Sequence, residues 1–146
     1  MARIDGMRDL ERAIQRLGRV PQTVATKGAR AGATISLRAA RRNAPVDEGK
    51  LKKGIILKRE RRTKPGKTVY DVMMDPAMND EFVKISAEGE RSYYPSSQEY
   101  GWITESGRYV PGYRYLRKSV EDNARQIEKK IVDEAIKAAE KAWRGR

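Results

Sequence analysis

Carboxylates such as Asp47, Glu48, Glu99 and Glu105 are side chains in this sequence that could run acid/base chemistry. Two carboxyl groups in opposed environments, one protonated and one ionised, can drive hydrolysis. Their spacing carries no recognised signature, and the chain has neither histidine nor cysteine to serve beside them. That removes the commonest general base, the thiol nucleophile and the usual zinc and copper ligands, and leaves no disulfide to expect. Gly66-Lys67-Thr68 invites a phosphate-loop reading, but Arg61 stands where the pattern needs its first glycine. The residues that follow have the period of a strand rather than a helix. No catalytic, cofactor-binding or metal-binding residue is therefore assigned, and the chain is read as a non-enzyme. Asp47 and Glu48 fit better as caps of a short helical turn beginning near Gly49-Lys50-Leu51, where acids meet free N–H groups.

Arginines beside aromatics, in Arg108-Tyr109 and Tyr113-Arg114-Tyr115, could stack on bases or grip phosphates. No helix-turn-helix, zinc-finger or RNA-recognition pattern accompanies them, so sequence-specific recognition is not expected, while non-specific contact with DNA stays open. Tyr93, Tyr94, Tyr100 and Trp102 crowd one segment. Two of them fit a core, and the group suits an interface because aromatics anchor protein contacts.

Charge separates these candidates along the chain. The net charge is +12, with nine basic and two acidic residues over 8–42 and nine basic against Glu60 alone over 49–67. Residues 68–112 reverse the sign, with eight acids against Lys84, Arg91 and Arg108. Two uses fit such polarity: contact with nucleic acid, or head-to-tail packing of one subunit's basic surface on the acidic surface of the next.

The elements that must position these groups follow from periodicity. A length of 146 residues with 38% hydrophobic and 36% charged content fits one domain, 1–146, whose core is thin enough to lean on neighbours. Ile4, Met7, Leu10, Ile14 and Leu17 recur at helical spacing, and Gly18 with Pro21 predicts a stop, giving a short N-terminal helix. Val24, Gly28, Ala31, Ile35 and Ala39 make a second face of small residues, ended by Pro45; together the N-terminal helices span 4–43. Strands flank Pro65-Gly66 as a hairpin, with a third strand at 81–86, so hairpin and sheet occupy 54–86. An aromatic loop covers 88–112. Leu116, Val120, Ala124, Ile127, Ile131, Ala135, Ala138 and Ala142 predict one helix over 115–143, about 43 Å long. The expected fold class is α+β, a small antiparallel sheet of three or four strands packed against two long helices. The first residues lack a signal peptide's apolar core and no apolar run approaches the ~20 residues of a membrane span, so a cytoplasm-like compartment and no membrane contact are expected.

Read in order, an arginine-bearing helix ending in Ala44-Pro45-Val46-Asp47-Glu48-Gly49-Lys50-Leu51, a hairpin, Tyr94 with Glu99-Tyr100-Gly101, and Tyr113-Arg114-Tyr115-Leu116 opening a long charged helix resemble the HK97 gp10-like family of tailed-phage and prophage proteins over roughly residues 22–140. The family's first block reads Ala-Pro-Val-Asp-Thr-Gly-x-Leu. Glu48 replaces the threonine, while Pro45, Asp47, Gly49 and Leu51 keep the pattern and Gly101 closes the second block. Arg114-Tyr115-Leu116 stands for the usual Pro-Phe-Leu. The resemblance implies a structural virion protein without a cofactor, assembled in the host cytoplasm into a hexameric ring in the neck. Such a ring completes the tail or joins it to the head, between head-closure or connector proteins and tail-terminator or tail-tube proteins. Arg38, Arg41, Arg42, Lys50, Lys52, Lys53, Tyr94, Glu99, Tyr100 and Trp102 are the expected subunit-interface or DNA-facing residues. The rival reading is a small non-specific DNA-binding protein.

Overall fold

A computed structural model describes residues 7–145, leaving aside the side chains of residues 7–11 and 13. The first helix, α1 (Met7–Asn43), runs without interruption through Pro21, so the expected stop at Gly18 and Pro21 is not there. Proline inside a helix removes one N–H and crowds the carbonyl four residues back. Here that carbonyl belongs to Leu17, on an exposed stretch where water can bond it. The last helix of the chain also packs along α1 and holds both halves in line. Ile4 lies outside the described residues, as do the side chains of Met7 and Leu10. Ile14 and Leu17, expected on a buried face, are 59% and 56% exposed.

Pro45 ends α1 as expected. Gly49, at φ 73°, starts the turn α2 (Lys50–Gly54) in left-handed geometry open to glycine. The turn exists where expected, but neither Asp47 nor Glu48 caps it. Glu48 instead reaches Lys50 at 3.0 Å, which also lies 3.8 Å from Glu81. An antiparallel hairpin follows, β1 (Ile55–Arg59) on β2 (Tyr70–Met74), with Ile55 opposite Met74 and Leu57 opposite Val72. Its apolar face closes the main core: Ala40, Ala44, Leu51, Ile55 and Tyr115 are buried, with Leu37, Val72, Met74, Tyr94 and Leu116 packed around them.

The third strand does not join this hairpin. Asp75 caps a 3-10 turn (Pro76–Met78) by accepting the Ala77 N–H at 3.0 Å, and α3 (Asn79–Phe82) drives Phe82 against Gly54. The chain is thereby diverted, and β3 (Val83–Ile85) pairs with β4 (Arg91–Tyr93). The segment expected as a loop holds β4, α4 (Tyr94–Tyr100) and a further ribbon of β5 (Gly101–Ile103) with β6 (Tyr109–Pro111). The α+β class, two long helices and small antiparallel sheets stand, but the strands form three two-stranded ribbons rather than one sheet.

The C-terminal helix is divided into α5 (Tyr115–Glu121) and α6 (Ala124–Trp143). Asn123 bends the chain there because its side-chain amide donates to the Ser119 carbonyl at 3.0 Å, competing with the helical ladder. Both pieces then lie on α1. A buried hydroxyl pair, Ser36 and Ser119, joins α1 to α5 at 2.9 Å. The small-residue face of α1 admits α6 closely, with Gly28 and Gly32 receiving Ile131.

Candidate functional site

Glu99 sits at the end of α4, 5% exposed. Its Oε2 accepts the Leu116 N–H at 2.9 Å and its Oε1 accepts the Arg117 N–H at 3.1 Å. These are free donors of the first turn of α5, which its own N-cap residue cannot satisfy: Arg114 is left-handed, φ 52°, and makes no side-chain cap bond. The carboxylate thus caps a helix that begins sixteen residues later. Two backbone bonds complete the joint, Tyr113 N–H to Gln98 O at 2.7 Å and Arg114 N–H to Glu99 O at 3.1 Å. Gly101 and Gly112 pass so closely that a Cβ on Gly112 would lie 2.4 Å from the Glu99 carbonyl oxygen. Tyr115 locks the far side, donating to the Pro95 carbonyl at 3.2 Å. Burial above all, then the nearby Glu99 charge, pushes its phenol well above the ordinary tyrosine range.

The joint positions an exposed aromatic ribbon. Between the paired ends of Gly101 and Pro111, β5 and β6 carry Trp102, 42% exposed, Ile103, 71%, and Tyr109, with Tyr100 and Tyr113 exposed at its base. Tyr109 donates to the Tyr100 carbonyl at 2.6 Å and stiffens the ribbon. Tyr94 stays half-buried, with Lys84 5.7 Å from its ring centroid. Burial raises its pKa, with the Asp47 charge adding to the effect. A second apolar surface is a groove of about 440 Å³ between α1, β2 and α5–α6, lined by Gly32, Val72, Leu116, Val120 and Ile127.

The remaining expected interface residues scatter. Arg41 is half-buried and donates through Nε and Nη2 to the Ile55 carbonyl, at 3.2 and 2.8 Å, fastening α1 to β1. Lys50 is held by Glu48, whose hydrogen bond raises the lysine's pKa and lowers that of the carboxyl. Arg38, Arg42, Lys52 and Lys53 are exposed, Leu51 is buried, and Pro45 is half-buried. The structure brings Tyr94, Glu99, Tyr100, Gly101 and Trp102 together and leaves the basic residues around the end of α1 and on α2. Gly66-Lys67-Thr68 forms the hairpin turn, with β2 rather than a helix after it. No cluster of three or more metal-ligating carboxylates occurs among the described residues, and no described helix is long and apolar enough to cross a membrane.

Sequence reasoning placed Glu99 on a surface; its capping role was missed. A signal exists, since Glu99 is the only charged residue between Arg91 and Glu105. Gln22 was missed altogether. Its Oε1 accepts the Gly66 N–H at 2.9 Å and its Nε2 donates to Thr68 Oγ1 at 2.7 Å and to the Lys67 carbonyl at 3.3 Å, clamping the hairpin turn onto α1.

Residues 8–75 match the model of the HK97-gp10-like family, described as "Bacteriophage HK97-gp10, putative tail-component". The match covers α1, α2 and the first hairpin, including the Pro45–Leu51 block, and stops before the Glu99 joint. No curated protein and no solved structure matches the chain.

Proposed function

We infer, from the likeness of residues 8–75 to a bacteriophage tail component, that this chain is a structural virion protein and, more finely, a tail-completion or head–tail joining subunit that assembles as a ring in the neck. The family match carries the reading. The exposed aromatic ribbon supports it, because Trp102, Ile103 and Tyr109 form the kind of amphipathic anchor that a neighbouring subunit buries. Its partners are further copies of itself, six in a closed ring, with head-closure or connector proteins on one side and tail-terminator or tail-tube proteins on the other. Duplex DNA passing through the ring is a further contact.

Quantitative mass spectrometry of intact tailed particles tests this. A fixed ratio of a few to about a dozen copies per particle is the expected outcome for a closed ring. Absence from particles, with the chain recovered as a soluble monomer, would overturn the assignment.

A further inference from the structure

The polarity of the chain invites pairing of its basic face with its acidic segment on the next copy, and the fold engages three of that segment's eight acids. Glu99 is buried as a helix cap, Asp75 caps the 3-10 turn, and Glu81 faces Lys50. The positive charge is not withdrawn in the same way. Arg59, Arg61, Arg62, Lys64 and Lys67 all stand exposed at the end of the β1–β2 hairpin, and no ion pair among the described residues engages them.

This basic turn is also rigid. Lys64-Pro65-Gly66-Lys67 closes with a 3.0 Å bond from the Lys67 N–H to the Lys64 carbonyl, Gly66 taking the φ of 78° that a type II turn requires. The Glu60 N–H bonds the Val69 carbonyl at 3.0 Å and continues the ladder beyond β1. Gln22 holds the turn on α1, and the Thr26 and Thr68 hydroxyls meet at 3.0 Å beside it. Arg19, also exposed, lies one helical turn before Gln22, about 5 Å along the axis. A backbone fixed before binding has no conformational freedom of its own to lose on contact.

The composition of the turn selects the partner. Protein interfaces are enriched in arginine but are built around apolar and aromatic anchors with lysine depleted, and residues 59–68 offer neither aromatic nor large aliphatic side chains to accompany Arg59, Arg61 and Arg62. Single-stranded nucleic acid is gripped by aromatic platforms, also missing here. Closely set guanidinium and ammonium groups without a stacking surface suit the phosphates of a duplex, read without regard to sequence. We propose that the Arg59–Lys67 turn, pinned to α1 by Gln22, is a contact surface for the phosphate backbone of double-stranded DNA. This deepens the DNA contact of the ring reading, on which it rests for the source of the duplex.

The test uses the full chain, a random-sequence duplex of about 30 base pairs, a single strand of equal length and poly-L-glutamate as competitor, over a range of salt. The wild type is expected to prefer the duplex, with poly-L-glutamate a weak competitor. Arg61→Gln/Arg62→Gln/Lys64→Gln is expected to lower affinity at least tenfold and flatten the log–log salt slope by about two to three, one phosphate contact per lost cation. Lys118→Gln/Lys129→Gln/Lys141→Gln, three exposed lysines of α5 and α6, serves as the control and is expected to lose far less. A duplex bound equally by wild type and turn variant, an equal loss in the control, tighter binding of the single strand, or effective competition by poly-L-glutamate would each overturn the proposal. Mass measurement of the same samples keeps the readings apart: a monomer that binds DNA through the turn sinks the ring and not this surface, and an intact ring without turn-dependent binding does the reverse.

Discussion

Replacing Glu99 with alanine should cost the fold more than any exposed charge could. The carboxylate accepts two backbone N–H groups at 2.9 and 3.1 Å in a site where it is 5% exposed. Hydrogen bonds to a charged acceptor contribute roughly 1.5–3 kcal/mol each, and loss of a helix cap alone costs about 0.5–2 kcal/mol. These describe the same bonds and are not summed, so Glu99→Ala should destabilise by about 2–4 kcal/mol. Glu99→Gln keeps one acceptor but turns an amide N–H toward the other donor, and should fall between wild type and alanine. Equilibrium urea unfolding would show a lower midpoint with the m-value unchanged. Hydrogen exchange at the Leu116 and Arg117 amides should accelerate in the same order. A Glu99→Ala midpoint within error of wild type, or unchanged exchange at those two amides, would refute the capping role.

Glycine supplies a contrast of sign. Gly54→Ala should destabilise by about 1–3 kcal/mol by overpacking, because the new Cβ would lie 2.5 Å from Cζ of the buried Phe82 ring. Gly18→Ala, in open space within α1, should stabilise by about 0.5–1 kcal/mol, and thermal unfolding of the pair checks both. Tyr115 should make the fold alkali-sensitive. Its phenol has an ordinary pKa of 10.0 in the unfolded chain and a higher one when folded, so above about pH 10 the unfolded state loses a proton that the folded state keeps. Stability then falls as pH rises, by up to about 1.4 kcal/mol per unit. Tyr115→Phe should start lower at neutral pH, having lost its bond to Pro95, and fall less steeply between pH 9 and 11 in urea titrations. Trp102→Ala should leave the monomer's unfolding midpoint nearly unchanged yet weaken self-association at least tenfold by analytical ultracentrifugation, as expected for an aromatic anchor.

The parts legible in the sequence are those set by neighbouring residues. Pro45 stops a helix through the geometry it imposes on Ala44, and Pro65-Gly66 makes a turn whatever surrounds it, so both appear where the residues predict them. Gly28, with Ala31 and Ala39, announced a close helix contact, and Ile131 fills it. What was not legible is set at a distance. Pro21 reads as a stop locally, but α6 packed along α1 overrides it. Gln22 meets Gly66 across 44 residues and Glu99 meets Leu116 across 17, and no local pattern encodes either pairing. Arg41 looks like its exposed neighbours Arg38 and Arg42 until the fold brings the Ile55 carbonyl to it. The single sheet failed for a similar reason: strand propensity was present at Val83–Ile85, while Phe82 packing on Gly54 sent that strand elsewhere.

The antiparallel packing of α1 and α6 carries a mechanical consequence. Among the described residues, every fully buried large side chain lies in the half of the molecule beyond Asn43 or against the last turns of α1. Toward Met7, the neighbour of α1 among the described residues is α6, and Ile14, Leu17 and Trp143 face outward. The first helix is therefore a cantilever, clamped at Arg41, propped at Gly28 and Gly32, tied to the hairpin turn at Gln22, and compliant beyond that tie. Under load or heat it would peel from the end that bears Leu17 and Trp143, while the joint around Glu99 stays shut.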